Sequence, residues 1–210
     1  MEYFPEGDLG AYLRSSPPLS EEEACHIISQ ALQGLAIMHQ EGYAHRDVKP
    51  ENMLIHQRPD PRSGRLWWVK LTDFGITKSI GTVVSASAPI GTPGYVAPEL
   101  LRQPSQSSLV PDYPAADMWS LGATAFYILA GSLPFPDYFS IVEYVASPDT
   151  LFPRAELDER LVSTDGSAFI RTLLEPKLGQ RPDSNEAYSH PWILSHTSNA
   201  PEQTVSSHSR

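Results

Sequence analysis

His45-Arg46-Asp47-Val48-Lys49-Pro50-Glu51-Asn52 puts a carboxylate, an ammonium and an amide within eight residues, and Asp73-Phe74-Gly75 follows 26 positions after Asp47. These are the groups that phosphoryl transfer asks of a protein. A carboxylate accepts the proton of the attacking hydroxyl, a cation offsets charge on the phosphoryl in flight, and an amide oxygen with a second carboxylate can hold Mg²⁺. An isolated Asp-Phe-Gly is a common turn. Its place after the Asp, Lys and Asn loop is what makes Asp73 a metal-ligand candidate.

Such a set needs rigid elements on both sides, and the sequence supplies them. Ser20 and Glu23 have the spacing of a capping box, with Glu21 and Glu22 suited to the positive helix start. Ala24, Ile27, Ile28, Ala31, Leu35 and Met38 recur at steps of three and four until Gly42, which predicts one helix packed on a core. Met53 to Ile55 and Leu66 to Leu71 are short β-prone runs joined by the turn-rich Gln57 to Gly64, a β-hairpin. The reactive loop thus lies between a capped helix and a strand. Further on, Met118 to Ala130 is apolar nearly all round, with Asp117 as candidate N-cap and Gly131 as stop, and reads as a central helix. Shorter helices are expected near 138–146, 167–174 and 184–189. Gly75 to Val96 and Gln103 to Pro114 read as long loops, and residues 195–210 as a polar, disordered tail.

Composition bounds the function. At 210 residues one domain is expected, and 40% hydrophobic residues are enough for a core. Fifteen Lys and Arg against 25 Asp and Glu leave a charge of −10, which argues against nucleic acid or an anionic membrane surface as partner. The longest apolar stretch falls short of the roughly 20 residues that span a bilayer. A single cysteine, Cys25, at the polar edge of the helix stripe, forms no internal bridge, and the start lacks a secretory pattern. An intracellular protein of cytoplasm or nucleus is expected. His26, His39, His56, His190 and His196 have no companions at metal-ligand spacing.

In order and spacing the motifs resemble the eukaryotic protein kinase family: His45 to Asn52 its catalytic loop, Asp73 to Gly75 its DFG, Ala97-Pro98-Glu99 its APE, and Asp117 to Gly122 the start of its central helix. The resemblance implies an α+β, mainly α fold, a kinase C-terminal lobe with a small β-hairpin, in which residues 1–194 are hinge and C-lobe only and 195–210 a tail. It implies ATP and Mg²⁺ as cofactors, Asp47 as catalytic base, Lys49 facing the phosphates, and Asn52 and Asp73 as metal ligands. Glu2 and Phe4 would offer backbone contacts to adenine, Asp8 would lie near the ribose, and Leu54 would face adenine. Lys49 two residues after Asp47, and Thr92 bonding to both, resemble the Ser/Thr class. Glu99 and Arg181 resemble a buried ion pair, and Asp117 the residue that hydrogen-bonds the catalytic-loop backbone.

Arg46 resembles the arginine that holds a phosphate on the activation segment, with Thr82, Ser85 and Ser87 as candidate acceptors. A protein substrate is implied, and acids at Asp8, Glu51 and Glu143 point to a basic one. The chain carries no glycine-rich phosphate loop and no V-A-I-K lysine. A truncated product of impaired activity is therefore expected, with a non-catalytic binding or regulatory module as the alternative.

Overall fold

A capping box starts the helix that carries most of the architecture. In the computed structural model, which describes residues 4–73, 78–79, 91–101 and 111–197, Ser20 Oγ accepts from the Glu23 amide and Glu23 Oε2 from the Ser20 amide. A short helix α1 (Leu9–Ser15) precedes this one, α2 (Glu21–Gln40). The predicted stripe is buried from Ala24 to Leu35, with Met38 half-buried, but Cys25 and Leu32 beside it are buried too, because α2 is covered on two sides. Cys25 is therefore not at a polar edge. It is 0% exposed, its Sγ sits 3.6 Å from the Trp192 carbonyl, and burial followed by the charge of Glu21 pushes the thiol up to about 12. That removes it from thiolate chemistry.

α1 was not anticipated from the pattern. Seven residues with a glycine at the second position carry no readable periodicity, and the helix is held by its Asp8 cap, which accepts from Ala11 N at 2.7 Å, and by packing on the turn before β2. Four short strands follow: β1 (Tyr43–Ala44), β2 (Met53–Gln57), β3 (Trp68–Leu71) and β4 (Lys78–Ser79). β2 and β3 form the predicted hairpin, pairing Met53 with Leu71, Leu54 with Lys70 and Ile55 with Val69 before a bulge. β1 pairs antiparallel with β4. Alternation sends Met53, Ile55 and Val69 into the core. Gln30 of α2 staples the hairpin, accepting from Val69 N at 3.0 Å and donating to the Trp67 carbonyl at 2.9 Å.

The central helix α3 (Tyr113–Ala130) begins earlier than expected. Asp112, not Asp117, caps it by accepting from Ala115 N, and Pro114 fits its first turn. Gly131 closes it at φ 80. Trp119 and Phe126 are fully buried. The remaining helices are α4 (Tyr138–Ala146), α5 (Pro148–Leu151), α6 (Arg154–Glu159), α7 (Thr164–Leu173), α8 (Ser184–Tyr188) and α9 (Pro191–Thr197). α5 and α6 are too short for periodicity to announce. α9 extends into the expected tail as far as Thr197, because Trp192 and Ile193 are buried and Trp192 Nε1 donates to Glu21 Oε1 at 2.7 Å. Residues 198–210 lie outside the described set. Among the described residues no helix is long and apolar enough to cross a membrane.

Candidate active site

Asp117, inside α3 and 1% exposed, sets the geometry of the reactive loop. Its Oδ2 accepts from His45 N at 2.8 Å and its Oδ1 from Arg46 N at 2.7 Å, while His39 Nε2 lies 3.0 Å from Oδ2. Two backbone N–H groups on one buried carboxylate hold Arg46 at φ 71, a conformation L-residues seldom adopt. His45, also buried, ties the loop to the hairpin. Its Nε2 is 2.9 Å from the Thr72 carbonyl and its Nδ1 lies 3.4 Å from Asp47 N, which fits a proton on Nε2. The loop is thereby fixed to the residue before Asp73.

Asp47 is the hub. Lys49 Nζ lies 2.7 Å from its Oδ2, Thr92 Oγ1 donates to its Oδ1 at 2.8 Å, and Asn52 Nδ2 donates to its Oδ2 at 2.9 Å and to its backbone carbonyl at 2.7 Å. Lys49 also donates to Thr92 Oγ1 at 2.6 Å. Burial raises the Asp47 carboxyl, but hydrogen bonds from Lys49, Thr92 and Asn52 and the Lys49 charge outweigh it, so the group lies below its ordinary value. It is ionised at neutral pH.

Asn52, with its amide nitrogen committed to Asp47, turns its oxygen away as a hard acceptor. Thr72 N donates to the Asn52 carbonyl at 2.9 Å, which brings Asp73 to the same open end of the hairpin, exposed and at φ 62. An amide oxygen beside a carboxylate is a donor set of the kind Mg²⁺ takes, so these residues fit the expected metal. Thr92 is held by a turn between Gly91 at φ 95 and Gly94 at φ 86, where a Cβ on Gly94 would meet Leu133 at 2.6 Å. Ser120 Oγ, bonded to the Tyr95 carbonyl at 2.7 Å, fastens that turn to α3. The sequence placed Ser120 inside the Asp117 to Gly122 motif but assigned it no contact.

The expected ion pair is present. Arg181 Nη1 and Nη2 donate to Glu99 at 2.6 and 3.1 Å, and the guanidinium also donates to the carbonyls of Ala115 and Glu175. The nucleotide candidates are less tightly gathered. Asp8 forms a bridge with Leu54, both half-buried, and its Oδ1 is engaged in the α1 cap. Phe4 is half-buried, edge-on to His56. Glu2, Phe74, Gly75, Thr82, Ser85 and Ser87 fall outside the described residues. Glu51 is paired with Arg14 of α1 at 3.0 Å, a partner the sequence did not reveal. Arg46 lies with its guanidinium 3.6 Å over the Tyr113 ring, and its Nε and Nη2 are buried with no hydrogen-bond partner among the described residues.

Known proteins resemble this chain over most of its length. The chain is 35% identical over 184 residues to a probable myosin light chain kinase of Dictyostelium discoideum, covering 87% of this chain and 56% of that protein. It is 32% identical to calcium/calmodulin-dependent protein kinase type 1 of Caenorhabditis elegans, over 94% of this chain and 53% of the relative. The chain thus spans about half the length of these relatives. Among solved structures, the Rad53 kinase domain and SCD2 in complex with AMPPNP superposes with a TM-score of 0.72 at 30% identity, covering 92% of this chain and 67% of that one. The family model described as protein kinase domain matches residues 1–193, and the chain belongs to that family.

Proposed function

We propose that these residues form the lower half of the active site of a Ser/Thr protein kinase, which transfers the γ-phosphoryl of ATP to a protein hydroxyl. The observation that carries this reading is the convergence of Lys49, Thr92 and Asn52 on the Asp47 carboxylate. Asp47, kept ionised, takes the proton of a Ser or Thr hydroxyl as that oxygen bonds to the γ-phosphorus and the bridge to the β-phosphate breaks. Lys49, already beside Asp47, offsets charge on the phosphoryl as it passes. Asn52 Oδ1 and Asp73 would hold Mg²⁺. Bound there, the ion neutralises charge that grows on the phosphate oxygens. Thr92 fixes the Asp47 rotamer so that one carboxylate oxygen faces the incoming hydroxyl.

Residues 1–194 serve in this reading as hinge and lower lobe. The 210 residues include no glycine-rich phosphate loop and no V-A-I-K lysine, so the chain by itself should hold ATP weakly and transfer slowly. The second reading is a non-catalytic binding or regulatory module, in which the Asp47 cluster serves the fold alone. A basic protein substrate is supported by the exposed Glu143, although a substrate arginine would have to displace Arg14 from Glu51.

Transfer of ³²P from ATP to a mixed peptide substrate by the full-length protein tests the assignment. Asp47→Asn should lower the rate by about 10²- to 10⁴-fold with nucleotide binding nearly retained. With the base ionised through neutral pH, the acid limb of the rate profile should lie below the ordinary carboxylate value. Unchanged turnover in Asp47→Asn rejects the base assignment, and no transfer by the full-length protein under any condition favours the module.

A further inference from the structure

The hairpin has a second end. Asn52 and Asp73 mark the end that carries the reactive groups, while the connection between β2 and β3 lies about 15 Å away, at roughly 3.3 Å per strand residue. That far end is chemically unlike the rest of the chain. Arg58, Arg62, Arg65 and Lys70 place four of the fifteen Lys and Arg residues within thirteen positions, against one acid, Asp60, in a chain of net charge −10. Asp60 is engaged within the turn. Its carboxylate accepts from Ser63 Oγ at 2.8 Å and from Arg62 N at 3.0 Å, and its backbone bridges to Arg65, so the acid shapes the turn that presents the arginines.

Arg62 and Arg65 are exposed, and neither forms an ion pair among the described residues. Arg58 is held more firmly, by Glu6 at 2.9 Å and over the Tyr12 ring at 4.9 Å. Next to the arginines lies an apolar shelf. Trp68 is 38% exposed, packs at 4.0 Å on His56, and has the Lys70 ammonium 5.5 Å from its ring. Phe4 extends the shelf on the other side of His56. Neither the core nor the reactive site uses this exposed tryptophan beside the Lys70 ammonium.

We propose that this end of the hairpin is a docking site for an acidic peptide segment of a partner protein, one carrying an apolar side chain that settles on Trp68. Charge complementarity selects the occupant. Acidic side chains are attracted to Arg62 and Arg65 and repelled by the acidic remainder of the surface, so the approach is steered to one point. An extended polyanion such as RNA, or a flat anionic membrane, would also meet that acidic remainder. A short segment fits the patch alone. Phosphoryl transfer is not needed for this site to act.

Binding of a fluorescein-labelled Glu-rich peptide with a central Leu pair, read by anisotropy at low salt, tests the proposal. A saturable rise is expected, weakening as salt is raised, with no rise for the peptide in which every Glu is Gln. Trp67, Trp119 and Trp192 are buried, at 2%, 0% and 0% exposure, so acrylamide quenching reports mainly Trp68, and the peptide should reduce it. Arg62→Glu with Arg65→Glu should weaken binding by about tenfold or more with the thermal midpoint unchanged. Trp68→Ala should erase the preference for the Leu pair over an Ala pair while leaving the salt dependence. Binding by the Gln peptide, undiminished binding after the double charge reversal, or unaltered quenching would each overturn the site. So would equal affinity for a single-stranded RNA oligomer or for anionic phosphatidylserine vesicles, which assigns the patch to another class of partner.

Discussion

Arg46 and Leu161 adopt nearly the same backbone conformation, φ 71 and φ 56, for different reasons. Each L-residue held there costs roughly 1–2 kcal/mol. At Arg46 the conformation is imposed from outside the loop: Asp117 Oδ1 accepts its N–H at 2.7 Å, and the guanidinium lies on Tyr113. At Leu161 it is imposed only by the end of α6, where Leu161 N bonds to the Asp158 carbonyl and Val162 N to the Leu157 carbonyl, a helix stop that glycine usually fills. The Leu161 side chain is 89% exposed and contributes nothing in return. Strain near the phosphoryl-transfer groups is over-determined by tertiary contacts, and strain at a helix end is tolerated because the rest of the fold can carry it.

Removing the outside support should have the largest effect. Asp117→Ala strips the acceptor from two buried backbone N–H groups and from His39, and should destabilise by about 3–5 kcal/mol. Where folded protein remains, phosphoryl transfer should fall by about 10²-fold or more, because the Arg46 turn that orients Asp47 relaxes. Asp117→Asn keeps one acceptor oxygen and should lie between. Urea melts together with a transfer assay measure both. An Asp117→Ala protein that melts like the parent would mean that the loop holds its own conformation.

Replacing the side chain while leaving the backbone separates the two contributions at Arg46. Arg46→Met keeps the φ value and the contact with Tyr113 but removes a buried guanidinium whose Nε and Nη2 have no hydrogen-bond partner among the described residues. The unphosphorylated protein should therefore become more stable, by about 1–3 kcal/mol. A phosphate carried on Thr82, Ser85 or Ser87 would supply acceptors to those nitrogens. Phosphorylation should then raise the melting temperature of the parent and not of Arg46→Met. If the variant is less stable than the parent before phosphorylation, the stack on Tyr113 outweighs the unpartnered nitrogens.

The contrast also marks how far the sequence could be read. The clustering of Lys49, Asn52 and Thr92 on Asp47 was legible because the proposed phosphoryl transfer would restrict residue type and spacing. α2 was legible because an apolar stripe sustained over several turns suits a helix packed on a core and little else, and the central helix because a long run apolar nearly all round, closed by Gly131, suits a buried one. What the sequence hid was mostly long-range or short. Glu21, 142 positions from Ser163, accepts its backbone N–H, and Arg14 meets Glu51 across 37 positions; no local pattern encodes either contact. Asp117 was legible as a loop anchor through resemblance and misread as an N-cap from local pattern, since Asp112 five residues earlier has the same chemistry. α5 and α6 are too short for a stripe to repeat along them.

The smallest expected effect is also the sharpest test of the comparison. Leu161→Gly relieves the positive-φ strain, roughly 1–2 kcal/mol, and adds unfolded-state entropy that costs about 0.5–1 kcal/mol. With an 89% exposed side chain there is almost no burial to lose, so the net change should be a stabilisation of about 0.5–1 kcal/mol. Arg46→Gly relieves the same strain but removes the stack on Tyr113 and frees a peptide that Asp117 must then order alone. It should gain nothing, or lose stability. Paired urea melts of the two glycine variants give the sign directly. A gain at both positions would mean that the tertiary contacts around Arg46 do not stabilise its conformation. A loss at Leu161 would mean that the leucine makes a contact in solution which its exposure does not reveal.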